Sequence, residues 1–513
     1  MPAIRCCRRA PEPMPLAAAV HRHADEHPYA PAFRMEGRVF TFDKLERLAG
    51  QLFAAFDGLA GSAGHRSVLG NRARLIVLEA GNHPLFAAAF LAATSQGYCV
   101  ALIDPHLPAA TRQAMRDRLS PDLIVSANGA DLSLHAPASG ETRSFHESDG
   151  KERAPLAAGK ESEPFLVVFT SGTTGAPKAI IRDRGSWRRS LATGARFFGI
   201  DHGTRTFAPG PLAHGLTLYA LAETLVAGAE FIGAAHFDAA RALTIIETEK
   251  VKRLVLVPTM LRRLCAAATN RPQACVTQIT VAGAKLTASD RAVAALAFPK
   301  AEVIEYYGAS ELGFISVATK DDTASATAVG SAFPGVALSI RNDTGDEVPT
   351  GETGTIFVDS ALISDGYVGD ADGAGFRRLG QLATVGDIGF LEDDGTLHLL
   401  GRAGGMVLSG GNNIYPQEVE ATLVAYPDVH AALVLGLDHP DLGSELVAVI
   451  EPDGSIFDRE ALERHLAAHL PRYKHPRRIW LCPKMPMTQS GKVAAGTLRQ
   501  WIADGNDALE LID

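Results

Sequence analysis

The sequence predicts an α/β protein of more than one domain, on three observations. Short apolar runs of strand length alternate with segments whose apolar residues recur at helical spacing, from Leu75 to Tyr307. The strand-like runs stop at turn formers such as Asp104-Pro105, Pro258, Gly283 and Gly308. At 513 residues, 46% of them hydrophobic, the chain is too long for one core. A formal charge of −9 without a basic stripe argues against nucleic acid as a partner. Six scattered cysteines (Cys6, Cys7, Cys99, Cys265, Cys275 and Cys482) lack metal-type spacing and suit a reducing compartment. Met1 to Pro15 carries arginines without an apolar stretch behind them, and no window has the length of a membrane span. The expectation is a soluble, cytoplasmic protein with no membrane partner.

Taken in order, Leu16 to His27 reads as a helix, and Phe33 to Phe42 as a hairpin turning at Glu36-Gly37. Leu45, Leu48, Leu52, Phe53 and Phe56 mark a helix with a buried face. Strands follow at Leu75–Leu78, Cys99–Ile103 and Leu123–Val125, with a helix over Pro84–Thr94. This rhythm predicts a mainly parallel, helix-covered sheet, with ligands beyond the carboxyl ends of its strands. Ala130 to Gly159 reads as an irregular surface loop. Further strands are expected at Leu254–Val257, Ile279–Val281 and Val303–Tyr307. From about Val329 to Leu400 short strands and turns, with Gly345, Gly351, Gly366 and Gly395, suggest a small β-rich subdomain. The α/β pattern then resumes. The expected division is residues 1–401 as a large N-terminal domain and 402–513 as a small, mobile α+β C-terminal domain.

The chain centres on Thr170, Ser171, Gly172, Thr173, Thr174, Gly175, Ala176, Pro177 and Lys178, behind the apolar run Phe165–Phe169. Glycines let backbone N–H groups approach phosphate oxygens, hydroxyls add donors, and the Lys brings a mobile cation. The glycine spacing is not that of a Walker loop, and Ala179-Ile180-Ile181 continues as strand where that motif needs a helix. Alone, the stretch is also compatible with a polar hairpin loop.

Further motifs follow in a fixed order. They are Glu305-Tyr306-Tyr307-Gly308-Ala309-Ser310-Glu311, Gly386-Asp387-Ile388-Gly389, Gly401-Arg402, Ser409-Gly410-Gly411-Asn412, and Ser490-Gly491-Lys492. With Thr170 to Lys178 the series resembles the adenylate-forming superfamily of acyl-CoA synthetases, peptide-synthetase adenylation domains and firefly luciferase, over almost the whole chain. The resemblance implies two half-reactions. A carboxylate attacks the α-phosphate of ATP to give an acyl-adenylate and pyrophosphate, and a thiol then displaces AMP. It implies ATP, Mg²⁺ and coenzyme A, an acid or acyl-adenylate as substrate, and a C-terminal domain that reorients between steps. A homodimer is the assembly kept in view.

Residue by residue, the resemblance gives Thr170 to Lys178 to the β- and γ-phosphates, Tyr307 to adenine, Ser310 and Glu311 to the nucleotide and its Mg²⁺, Asp387 to the ribose hydroxyls, and Arg402 to ribose or phosphate. A carboxylate with phosphate oxygens suits a hard cation, and Asp387 has acceptors for two hydroxyls. Lys492 is implied as the catalytic ammonium for adenylation, where negative charge concentrates. Each has a bland alternative: a strand-end aromatic, a solvated Glu or Lys, an Asx-turn residue. His214 stands where the family has an aromatic or His near the acyl carboxylate; a packing His is an equal alternative.

Gly215 replaces the Asp that amino-acid-activating relatives use, so an amino-acid substrate is disfavoured. Gly283, Ala284, Gly308, Ala309 and Gly313 are small residues of the expected acyl pocket, which leans the substrate toward a bulky apolar, cyclic or aromatic acid. Ser409, Gly410 and Gly411 resemble the loop beside the pantetheine tunnel. No carrier domain follows before Asp513, so a free-standing acyl-CoA ligase is expected over an enzyme loading a carrier protein. At the hinge, Gly404 and Gly405 replace the usual Asp or Lys, which leaves open an enzyme acting mainly on a preformed acyl-adenylate.

Overall fold

The computed structural model describes residues 16–60, 67–69, 73–147, 154–170, 178–319, 325, 327–368, 375–402, 405–409, 412–439, 442–454, 457–488 and 493–512. Two compact units emerge: residues 1–256 with 361–372, and residues 257–360 with 373–513.

Among its described residues, the first unit is built on a sheet in the order Gly366–Tyr367, Lys178–Asp183, Pro164–Thr170, Tyr98–Leu102, Arg74–Glu79, Leu123–Asn128, Asp131–Ala136 and Glu141–Phe145. Its four central strands are parallel. Arg74–Glu79 and Tyr98–Leu102 are apolar and buried almost throughout because both faces are covered, whereas Leu123–Asn128 alternates buried and half-exposed residues and ends exposed. The helix Phe86–Ala93 is buried along its whole length, as an all-apolar helix must be. A second run of strands in this unit joins Arg253–Leu256, Arg205–Phe207, Glu230–Gly233 and Pro31–Met35 in parallel, and closes with Arg38–Thr41. Glu36 and Gly37 both have positive φ (50° and 76°), the geometry a tight two-residue hairpin needs. Between the helices Arg184–Phe197 and Gly215–Val226 and the strand Arg253–Leu256 lies a fully buried ion pair, Arg253 to Glu223 at 2.6 Å.

Two expectations are corrected here. The stretch 130–159 is not irregular throughout: Asp131–Ala136 and Glu141–Phe145 form an antiparallel hairpin on the sheet edge. Leu132, Leu134 and Ala136 point inward while Asp131, Ser133 and His135 are half-exposed, a period-2 alternation hidden by the polar outer face. Gly366 does not belong to the β-rich subdomain. Gly366–Tyr367 pairs with Lys178–Asp183 in the sheet of the first unit.

The second unit opens with the helix Pro258–Ala267; its strand Gln278–Ala282 then runs parallel to Glu302–Ala309, which folds back as a hairpin into Gly313–Ala318. The β-rich part is an antiparallel sheet of Val336–Arg341, Gly354–Ser360, Arg377–Leu379, Leu382–Thr384, Asp387–Leu391 and Leu397–Arg402. The chain ends in an α+β layer. There Gly443–Pro452 pairs with Val429–His439 and, in parallel, with Arg478–Leu481. Val419 and Leu423 of the helix Pro416–Val424 and Leu462 and Leu466 of Arg459–His469 are buried in the core of this layer. The fold is the predicted α/β class, with mainly parallel helix-covered sheets first and a small α+β part last. Among the described residues no helix is long and apolar enough to cross a membrane.

Candidate active site

In the second unit the structure brings together four of the predicted residues. Asp387 and Arg402 stand opposite each other in the register of Asp387–Leu391 and Leu397–Arg402. Gly386, with φ 79°, makes the turn that delivers Asp387, and its N–H donates to Thr384 Oγ1 at 3.0 Å. Arg402 Nε donates to Asp387 Oδ1 at 2.8 Å, and the Tyr307 hydroxyl donates to Oδ2. Asp387 is 6% exposed and Glu311 5%. Burial, with the Asp387 carboxylate beside it, pushes the Tyr307 hydroxyl well above its ordinary value, so it stays protonated and donates. Burial works against the Arg402 cation, but Asp387 and then Glu311 hold it above the usual arginine range. Tyr307 and Arg402 each use one carboxylate oxygen, and a carboxylate has about four acceptor sites, so Asp387 keeps capacity for further hydroxyl donors.

Ser310 and Glu311 lie in the turn of the hairpin whose register pairs Ala309 with Gly313. Among the described residues no three His, Cys, Asp or Glu side chains could hold a metal ion together. The buried Glu311 carboxylate is a hard oxygen ligand, and one carboxylate completed by phosphate oxygens and waters is a common way of holding Mg²⁺, so the residue present fits that ion. Gly308 is dictated by the backbone, since a Cβ there would lie 2.5 Å from the Gly313 carbonyl oxygen. Gly283 and Gly313 adopt positive φ, 96° and 78°. Three of the small residues assigned to an acyl pocket thus have backbone reasons for being glycine. Ala284 is exposed and Ala309 half-buried.

In the first unit, Thr170 and Lys178 face each other at the base of the hairpin formed by Pro164–Thr170 and Lys178–Asp183. The Lys178 ammonium sits 5.8 Å from the Tyr367 ring centroid, a cation–π contact. Ser171, Gly172, Thr173, Thr174 and Gly175 lie outside the described residues, as do Gly404, Gly410, Gly411 and Lys492. His214 caps the start of the helix Gly215–Val226 with its backbone in the extended region. Its Nε2 is 3.2 Å from Asp104 Oδ2, and Asp104 was not singled out from the sequence. The clue was the strand-terminating Asp104-Pro105, at the carboxyl end of a parallel strand. Around Gly215 the space is open, since a Cβ there would meet nothing within 4 Å.

Ser409 closes Val407–Ser409 opposite Asn412, the first residue of Asn412–Ile414. Gly405 is half-buried; a Cβ there would have its nearest neighbours, Arg402 Cβ and Gln417 Nε2, at 4.0 Å.

A sequence profile described as AMP-binding enzyme matches residues 20–368, and one described as AMP-binding enzyme C-terminal domain matches residues 418–492. The chain is 32% identical, over 68% of its length and 71% of the relative's, to an uncharacterized acyl-CoA ligase of Bacillus subtilis (strain 168). It is 29% identical, over 93% and 97% of the two chains, to a feruloyl-CoA synthase of an Amycolatopsis species. Among solved structures it resembles the o-succinylbenzoate CoA synthetase of Bacillus subtilis with its acyl-adenylate intermediate, with a TM-score of 0.79 at 20% identity over 95% and 98% of the two chains.

Proposed function

The chain belongs to the AMP-binding enzyme family as an AMP-forming acyl-CoA ligase, and from that premise we propose that it activates a bulky apolar, cyclic or aromatic acid without an α-amino group. The observation that carries the reading of the nucleotide site is the Asp387 carboxylate, held by Tyr307 and Arg402 with acceptor capacity to spare. Asp387 takes the ribose hydroxyls, Tyr307 the adenine, and Arg402 the ribose or phosphate. Ser310 stands with the nucleotide, and Glu311 holds the Mg²⁺ that would neutralise phosphate charge. Thr170 to Gly175 and Lys178 bind the β- and γ-phosphates. Lys492 supplies the cation for adenylation, and Ser409, Gly410 and Gly411 line the path of the coenzyme A arm. The functional division falls at 401/402, with the C-terminal part turning about Gly404 and Gly405.

Substrate choice is read at Gly215. An α-ammonium brought beside it would find no carboxylate on that residue, and burying an unpaired cation is costly. A panel of acids tests this, scored by the mass of the CoA product and pairing each amino acid with its desamino analogue: ferulate, benzoate, octanoate, and phenylalanine against 3-phenylpropionate. Desamino and aromatic acids are expected to turn over faster. A preference for phenylalanine over 3-phenylpropionate would overturn the reading.

The hinge supports a second reading, an enzyme acting chiefly on a preformed acyl-adenylate. Two glycines widen backbone freedom and remove the side chain that usually contacts the hinge. Gly405→Asp is sterically tolerated, because a Cβ has 4.0 Å of room and φ lies outside the left-handed region. A population bias of about 1.4 kcal/mol changes a ratio ten-fold, so Gly405→Asp is expected to shift the ratio of adenylation to thioester-forming rates several-fold at unchanged melting temperature. Separate assays of the two half-reactions check it. An unchanged ratio would mean that Gly405 is a neutral replacement.

A further inference from the structure

The loop that carries His214 is fastened to the carboxyl ends of two neighbouring parallel strands, and both fastenings are side chains. Beyond Arg74–Glu79, Gly81 turns with φ 60°, and its missing Cβ leaves room for Pro105, whose Cγ a Cβ would meet at 2.9 Å. Asn82 follows. Its Nδ2 donates to Gly210 O at 3.0 Å and to Ala234 O at 2.7 Å, while its Oδ1 accepts from Leu212 N–H at 2.7 Å. This fixes the backbone leading to His214 but not its ring. Beyond Tyr98–Leu102, Asp104 does that: Oδ1 accepts from the His106 N–H at 3.0 Å, and Oδ2 faces His214 Nε2 at 3.2 Å. Asp104 is 6% exposed, whereas the His214 side chain is 38% exposed.

Burial, the largest influence on Asp104, would raise its carboxyl. Hydrogen bonds from the His214 ring and the His106 N–H hold it below the usual carboxylate range instead. An ionised carboxylate only accepts, so Nε2 carries the proton in the pair. Among the described residues Nδ1 of His214 makes no hydrogen bond. The two ring nitrogens are thereby given different tasks: Nε2 is anchored and Nδ1 is presented outward. Without the anchor the ring could flip and present either nitrogen.

We propose that Asp104 is a positioning residue for acid activation: its buried carboxylate fixes the ring orientation and tautomer of His214, so that Nδ1 is the atom offered to the acid. The role of His214 toward the acid rests on the proposed function above; the pairing with Asp104 does not. Asp104 itself is given no contact with substrate.

The test uses the full chain with Asp104→Ala, Asp104→Asn, His214→Ala and the double variant Asp104→Ala/His214→Ala. In ¹⁵N-labelled protein the His214 ring signals, assigned by their loss in His214→Ala, are expected to show a proton on Nε2. In Asp104→Ala they should shift toward a mixture of tautomers, and Asp104→Asn, which keeps an acceptor oxygen, should restore part of the original pattern. Conversely, His214→Ala removes a donor from Asp104, so its ¹³C-detected carboxyl titration should move upward. In acid-dependent pyrophosphate release with ferulate, or with the panel acid turned over fastest, Asp104→Ala is expected to lower kcat roughly ten-fold, the size of one lost charge-assisted hydrogen bond, with the KM for ATP unchanged. The double variant should be no slower than His214→Ala, because both changes remove one function.

Unmoved His214 signals in Asp104→Ala, an unmoved Asp104 titration in His214→Ala, or losses that add in the double variant would each overturn the proposal. If Asp104→Ala does not fold, Asp104→Asn and the Asp104 titration decide it. If the signals move as expected but His214→Ala activates acids at the wild-type rate, the positioning stands and the role of His214 toward the acid falls.

Discussion

Lys492→Ala is expected to lower acid-dependent pyrophosphate release on the order of 10²–10³-fold, while acyl-adenylate plus coenzyme A still gives thioester at close to the wild-type rate. The reason is charge. In adenylation an anionic carboxylate meets an anionic α-phosphate, and a preorganised ammonium is worth most where that charge develops. In the second half-reaction a thiol displaces AMP from a neutral carbonyl carbon, and the demand for a cation at that point is far smaller. Two separate assays read the outcome, one of pyrophosphate from acid and ATP, the other of acyl-CoA from synthetic acyl-adenylate. Equal losses in both would remove Lys492 from the adenylating step and leave it a general binding residue.

For Asp387→Ala the expected loss is in nucleotide affinity, about ten-fold or more for ATP and for acyl-adenylate alike. Hydrogen bonds to a charged group are worth roughly 1.5–3 kcal/mol, and on the proposed reading the variant removes the acceptor of two ribose hydroxyls. It also strands the Tyr307 hydroxyl and the Arg402 Nε, which now donate to that carboxylate. Asp387→Asn separates the two effects, since it keeps one acceptor oxygen and loses the charge. Calorimetry with ATP, beside a melting curve, is the measurement. Wild-type affinity in a folded Asp387→Ala protein would move the ribose site elsewhere.

Local pattern made some of this molecule legible in advance. Cys99 to Ile103 is a continuous apolar run because its strand is covered on both faces. Glu36-Gly37 announced its hairpin because few residue pairs tolerate two positive φ angles in succession. The hairpin Asp131–Ala136/Glu141–Phe145 escaped because Asp131–Ala136 buries only one face and Glu141–Phe145 is exposed but for Phe145, so polar residues dominated the composition. The short strand Gly366–Tyr367 escaped because two residues carry no period, and its partner, Lys178–Asp183, lies far back along the chain.

The site divides the same way. Asp387 and Glu311 stood out through the residues around them. The bond from Tyr307 to Asp387 joins residues 80 apart, and the pair of His214 with Asp104 joins residues 110 apart. Tyr307 and Asp387 lie in different sheets, and His214 and Asp104 lie outside the strands, so only tertiary packing, which no local pattern encodes, brings such partners together. Gly308 was noticed for its small size, but the cause is the neighbouring strand's backbone.

That cause has a bearing on redesign. Directed variation toward new acids would ordinarily randomise every small residue thought to face the acid. At position 308 a side chain meets a main-chain oxygen, and at 283 and 313 it must adopt a left-handed backbone, so every variant at these three positions carries a backbone cost before it gains any contact with an acid. At Gly215 a new side chain enters open space at the start of a helix and meets no atom within 4 Å. The freedom to acquire a new specificity is therefore unevenly spread, and screening effort is best concentrated at position 215.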